Sequence, residues 1–181
     1  VLWKIDSTPF LLTAGRNIVD FGRFENVMAY NNPLTSQFFR AKGDNAALAY
    51  DKQDYFLSVS AINDQNETNM KRTGDSRGQD FENYALNGRW QHRFSKRFGI
   101  ALGGGYLKNG GFSEASTQSS GDTPIKSPSP VWDANAELKF QPFTVYAEYD
   151  STVKKADMRY NASTKTRAAK SKIFAWDVGL K

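Results

Sequence analysis

Arg89, Asp133, Glu137, Lys139, Glu148, Asp150 and Asp177 share one placement: each lies in a short run of alternating residues, opposite that run's apolar members. Facing carboxylates on neighbouring antiparallel strands stand about 5 Å apart. At that spacing they can share a cation, or pair with Arg89 and Lys139. Carboxylate oxygens are hard ligands, suited to holding a ferric or divalent ion transiently. A second reading is equally physical. The interiors of β-barrels carry mixed charge simply to fill and stabilise the lumen. Both readings put these residues on an enclosed inner wall.

Other chemistry is poorly supplied. There is one histidine, His92, and no cysteine. One imidazole cannot build a histidine metal cluster, and thiolate sites are excluded. His92 lies near a short connection and reads as a surface residue. Gly103-Gly104-Gly105 is followed by neither a Lys-Ser/Thr pair nor a helix start, so it is not a phosphate loop. Those glycines instead let a strand bend or admit a bulky neighbour. No Ser/His/Asp set or nucleophile elbow is present. The sequence therefore predicts no enzyme, no cofactor and no resident metal.

The elements that must position the charged residues are strands. In 131–140, Trp132, Ala134, Ala136, Leu138 and Phe140 share one face, and Asp133, Asn135, Glu137 and Lys139 the other. A strand separates these sets and a helix mixes them. The same alternation runs through 84–91, 97–107, 143–150 and 173–181, and more weakly through 1–5, 10–16, 46–51 and 54–62. Helical periodicity is confined to 24–40. Short connections alternate with long ones, the long ones being 17–45, 63–80, 109–130 and 151–171. That rhythm belongs to up-and-down transmembrane barrels, with tight turns at one rim and long loops at the other.

Aromatics bracket the apolar faces. Trp90, Phe98, Phe140 and Phe143 stand near short connections; Tyr84, Tyr106, Trp132, Tyr149 and Phe174 stand near long ones. Rings with an apolar body and a polar tip favour the headgroup level of a bilayer. A soluble sandwich would instead bury an aliphatic face.

Composition agrees with this reading. The 181 residues suit one domain spanning 1–181. The net charge is +5, but its 24 basic and 19 acidic residues are interspersed, and no basic block accompanies a recognition helix, so nucleic acid is excluded as a partner. Mean hydropathy is −0.61, and no apolar run approaches the roughly 18 residues of a membrane helix. Strands that are apolar on one face only remain compatible with a bilayer. The absence of cysteine fits an oxidising compartment. Val1 opens the chain without a charged and then apolar leader, which predicts a removed signal peptide or an internal fragment.

The stretch 13–35, TAGRNIVDFGRFENVMAYNNPLT, lacks a period and reads as a strand followed by a structured loop. Thr13, Gly15, Arg16, Phe21, Gly22, Phe24, Glu25, Asn32, Pro33, Leu34 and Thr35 form a pattern that resembles the LbtU family of siderophore porins and related Francisella iron-acquisition outer-membrane proteins. A looser likeness continues through Ala46–Asp51, the Gly103–Tyr106 strand and the Pro142–Tyr149 hairpin. This chain has Asp20 where the family commonly has proline before the Phe-Gly pair. The resemblance implies a bacterial outer-membrane barrel that takes up iron, as a ferric siderophore or as the ion, within a longer parent chain. Within the stretch, Arg16 and Glu25 are the ligand candidates. The alternative is a constriction or plug loop shaped by Gly22 and Pro33.

About nine strands are visible, an odd number for a closed antiparallel barrel of one chain. Either 158–164 supplies a missed strand or the barrel is larger. Three functions compete: an iron-passing porin or receptor, a structural or adhesive barrel whose long loops bind a partner, and a soluble barrel with a ligand inside. One arrangement decides the last. If Trp132, Leu138, Val145 and Trp176 formed a central core with Asp133 and Glu137 in water, the membrane reading would collapse.

Overall fold

The structure is a computed structural model and describes residues 1–23, Thr35, Phe39, 42–63, 83–109, 129–155, 160–161, 166–167 and 172–181. Its strands are β1 (Leu2–Lys4), β2 (Phe10–Ile18), β3 (Lys42–Lys52), β4 (Tyr55–Asn63), β5 (Asn83–Arg93), β6 (Phe98–Leu107), β7 (Val131–Phe140), β8 (Phe143–Thr152), β9 (Tyr160–Asn161), β10 (Thr166–Arg167) and β11 (Phe174–Leu180). Nine of them form one antiparallel sheet in the order β1-β2-β3-β4-β5-β6-β7-β8-β11. Each strand pairs with its predecessor, β11 joining β8. The fold is thus all-β, antiparallel and up-and-down. The sheet is open: β1 and β11 are its two edges.

One expectation changes here. Of the stretch 158–164 only Tyr160 and Asn161 are described, and they do not join the main sheet. Among the described residues, Tyr160–Asn161 pairs with Thr166–Arg167, in a separate two-stranded ladder. Of the stretch 24–40, to which helical periodicity is confined, only Thr35 and Phe39 are described; both are helical and buried. No helix among the described residues is long and apolar enough to cross a membrane.

The central strands are 9 to 11 residues long, the length that a tilted strand needs to cross a bilayer. Tight links join them on one side. Lys52 pairs with Tyr55 across Gln53-Asp54, where Gln53 takes a left-handed φ of 51°. In the link between β5 and β6, the Ser95 hydroxyl accepts the Arg97 and Phe98 amides at 3.2 and 3.0 Å. Phe140 pairs with Phe143 across Gln141-Pro142.

The two faces divide as the alternation predicts, with the apolar one outside. Trp132, Leu138, Val145 and Trp176 are 39, 42, 42 and 62% exposed, whereas Asp133, Glu137, Glu148 and Asp150 are 4, 3, 2 and 0% exposed. This is the reverse of a soluble barrel with an apolar interior. The outward aromatics gather into rows. Trp132 lies 5.2 Å from Tyr149, Tyr149 6.4 Å from Phe174, and Tyr84 6.1 Å from Tyr106, all near the long connections. Toward the other end rings run from Trp90, which pairs with mid-strand Leu102, through His92 and Phe94 to Phe98 at 6.1, 4.7 and 5.3 Å, the His92–Phe94 contact being edge-on. From Trp132 to Phe140 the strand rises about 26 Å. That length separates the rings near the long connections from those near the tight turns.

The apolar core is small and lies at the long-connection end of the inner face. It joins Val19, Phe21 and Phe39 to Ile62, Ala85, Leu107, Val131 and Ala175, with Ile173 packed beside it. Val19 and Phe21 follow β2 directly, so the chain leaving β2 turns inward and the sheet wraps it.

Candidate functional site: the inner wall and the in-turned segment

After Ile18 the chain enters the interior and is held there by polar contacts with strands far away in sequence. Asp20 accepts Asn87 Nδ2 at 2.9 Å and also the Ser58 hydroxyl. The residue that departs from the likeness to iron-acquisition proteins therefore anchors the segment to β4 and β5. Gly22 has φ 72°, a left-handed turn that glycine adopts without strain. It brings Arg23 to the opposite wall, where the guanidinium pairs with Glu137 on β7. The Arg23 amide donates to Glu148 Oε1 at 2.5 Å, and the Thr35 hydroxyl donates to Glu148 Oε2 at 3.2 Å. Glu148 on β8 thus receives both ends of the stretch 23–35.

Phe21 is completely buried because β6 has no side chain where its ring lies. A Cβ on Gly105 would stand 3.0 Å from Phe21 Cδ2 and 3.2 Å from the Leu86 carbonyl oxygen. A Cβ on Gly103 would meet Asn135 Oδ1 at 2.5 Å. The glycine run admits bulky neighbours, one of the two roles read from the sequence.

The sequence candidates separate into groups. Asp133, Glu137, Glu148 and Asp150 come together on β7 and β8, all buried. Register explains it: Asp133 faces Asp150 directly, and Glu148 faces Asn135, two residues along. Lys139 Nζ reaches Glu137 Oε1 at 2.9 Å, so this carboxylate has two cationic neighbours. Asp177 on β11 lies next to Glu148 in register but accepts the Tyr146 hydroxyl at 2.8 Å. Arg89 points inward yet donates to Gln91 Oε1 at 2.7 Å, not to a carboxylate. Arg16 is exposed on the Leu12 face of β2 and does not join the inner wall. Glu25 lies outside the described residues. His92 is an exposed residue 3.1 Å from Asp54, as expected of a turn-proximal histidine.

Sequence reading did not single out Asp20, Arg23, Ser58, Asn87 or Asn135. Their inward parity was visible for Asn87 and Asn135, but parity names a face and not a partner.

Between the in-turned segment and β3 to β5 lies a polar cleft of about 430 Å³, bordered by Asp20, Arg23, Asp51, Asn87, Arg89 and Gln91. Donors and acceptors of both signs line it, as suits a hydrated passage or a polar ligand. Among the described residues, three carboxylates, Asp133, Glu148 and Asp150, place one oxygen each within 4.8 Å of the others.

Comparison with known proteins adds nothing to this geometry: no family model matches the chain, and neither does any curated protein or solved structure.

Proposed function

We propose that this chain is an outer-membrane β-barrel, or a strand-rich part of one, that passes or binds a polar solute without catalysing a reaction. The observation that carries the reading is the inversion of the sheet. Apolar side chains between two aromatic rows form the exposed face, and carboxylates form the buried one. In water an apolar surface of this extent would drive association; against lipid it is the favourable arrangement. The in-turned segment then narrows the lumen from within, and the polar cleft beside it offers the route. The solute class we assign is iron, as a ferric siderophore or the ion; the pattern at 13–35 supports that choice.

Two measurements test the reading. Protein refolded into planar bilayers is expected to give discrete conductance steps, and cells lacking the parent gene are expected to lose most uptake of radiolabelled iron. Normal uptake would remove iron as the solute. Silent bilayers would favour a second reading, for which the packed Val19, Phe21 and Phe39 cluster speaks. There the lumen is sealed, and the long connections bind a partner outside the cell.

A further inference from the structure

We propose that Asp133, Glu148 and Asp150 bind one divalent, oxygen-preferring cation where the β7–β8 wall meets the in-turned segment. The three side chains are 4, 2 and 0% exposed, and their nearest oxygens all lie within 4.8 Å of one another. Oxygens on opposite sides of a calcium-like ion stand about 4.6–5.2 Å apart, twice a metal–oxygen bond of 2.3–2.6 Å. An ion centred among the three lies at most about 2.8 Å from each, so small side-chain shifts let one ion touch all three. Independent of that spacing, Asp150 is completely buried and neither of its carboxylate oxygens has a hydrogen-bond partner among the described residues. Asp133 accepts Asn135 Nδ2 at 2.9 Å through Oδ1, while its Oδ2 is also buried without one. A buried carboxylate without a donor is costly unless it meets a counter-ion.

Among the described residues, two cations near the cluster engage a different carboxylate. Arg23 and Lys139 both direct their charged groups to Glu137, on the far side of Asn135 from Asp133. An all-carboxylate donor set selects hard ions of the calcium, magnesium or manganese kind over zinc or copper, which favour nitrogen and sulfur. The site would also have a mechanical effect. Glu148 already takes the Arg23 amide and the Thr35 hydroxyl, so an ion on this carboxylate fastens the segment to the wall. The inference does not depend on solute passage, and its test involves no conductance or uptake.

The test is a titration of the full chain, folded in detergent and stripped with chelator, with Mn2+ followed by electron paramagnetic resonance. One Mn2+ per chain is expected, displaceable by Ca2+, together with a rise in the thermal midpoint when Ca2+ is added. Asp150→Asn and Asp133→Asn keep side-chain volume and are each expected to weaken Mn2+ binding at least tenfold. Asp6→Asn, in the exposed β1–β2 turn, is expected to change nothing. If folded wild-type protein binds no Mn2+ at millimolar concentration, the carboxyls hold protons and the proposal is overturned. Binding that survives both substitutions unchanged would overturn it equally, by placing the ion elsewhere. Should either variant fail to fold, the wild-type stoichiometry and Ca2+ shift still decide.

Discussion

Phe21 and Gly105 form a lock between two elements that the sequence gives no reason to pair. The ring fills the place a β6 side chain would take, with 3.0 Å between Phe21 Cδ2 and the position of a Cβ. Gly105→Val must therefore move the ring or the strand, and overpacking of this kind costs about 1–3 kcal/mol. Phe21→Ala alone leaves a cavity costing about 3–5 kcal/mol. In the double variant the valine occupies part of that space, so the two losses should sum to less than their separate values, by roughly 1 kcal/mol or more. Denaturant unfolding in detergent micelles measures the cycle; strict additivity would mean the two residues do not touch. At this scale the sequence was only partly legible. It marked the glycine run as room for a bulky neighbour and 13–35 as a folded insert, but that Phe21 is the neighbour follows from topology alone. The same limit hid Asp20, whose partners Ser58 and Asn87 sit on β4 and β5.

At the scale of the element, period-two alternation carried nearly all the information. A single strand suffices to display it, and 131–140 was readable to the residue because every second side chain changes polarity. Edges were harder. β1 has 3 residues, too few to establish a period, and β2 carries Gly15 at φ 133°. Tyr160–Asn161, the described part of 158–164, has no place in the main sheet, since β11 takes the position beside β8. The alternation also makes a directional prediction. Leu102 lies mid-strand on the outward face of β6 and is exposed. On a solvated sheet Leu102→Arg would change stability by no more than about 0.5 kcal/mol. Facing the middle of a bilayer, the same change should cost about 2–4 kcal/mol. Unfolding from lipid vesicles separates the two, and a neutral Leu102→Arg would remove lipid from the outer face of β6.

For the whole molecule, the open sheet and its two aromatic rows must be explained together. In a bilayer an unpaired strand edge leaves backbone donors and acceptors without water, which hydrocarbon does not tolerate. Nine strands in up-and-down order leave β1 and β11 running in the same direction, so an ordinary antiparallel seam cannot join them. The edges therefore call for further strands or another chain if the outer face is in lipid, and the proposed barrel stands or falls with that placement. Depth is the property that tests it directly. Trp132 belongs to the row near the long connections and Phe140, at the other end of the same strand, stands beside a tight turn, with Leu102 and Ala136 facing each other midway. A variant that keeps only Trp132, and a Phe140→Trp variant without the native tryptophans, should fluoresce at similar, shallow depths on opposite rims. Lipids brominated near the headgroup should quench both strongly, and lipids brominated near the chain ends should quench both weakly. A soluble fold would show no dependence on bromine position, and a sheet lying flat on the membrane would put a third probe, Leu102→Trp, at the same shallow depth, whereas a spanning sheet puts it at the level of the chain ends. Only a sheet standing across the bilayer gives two shallow rings separated by an apolar middle.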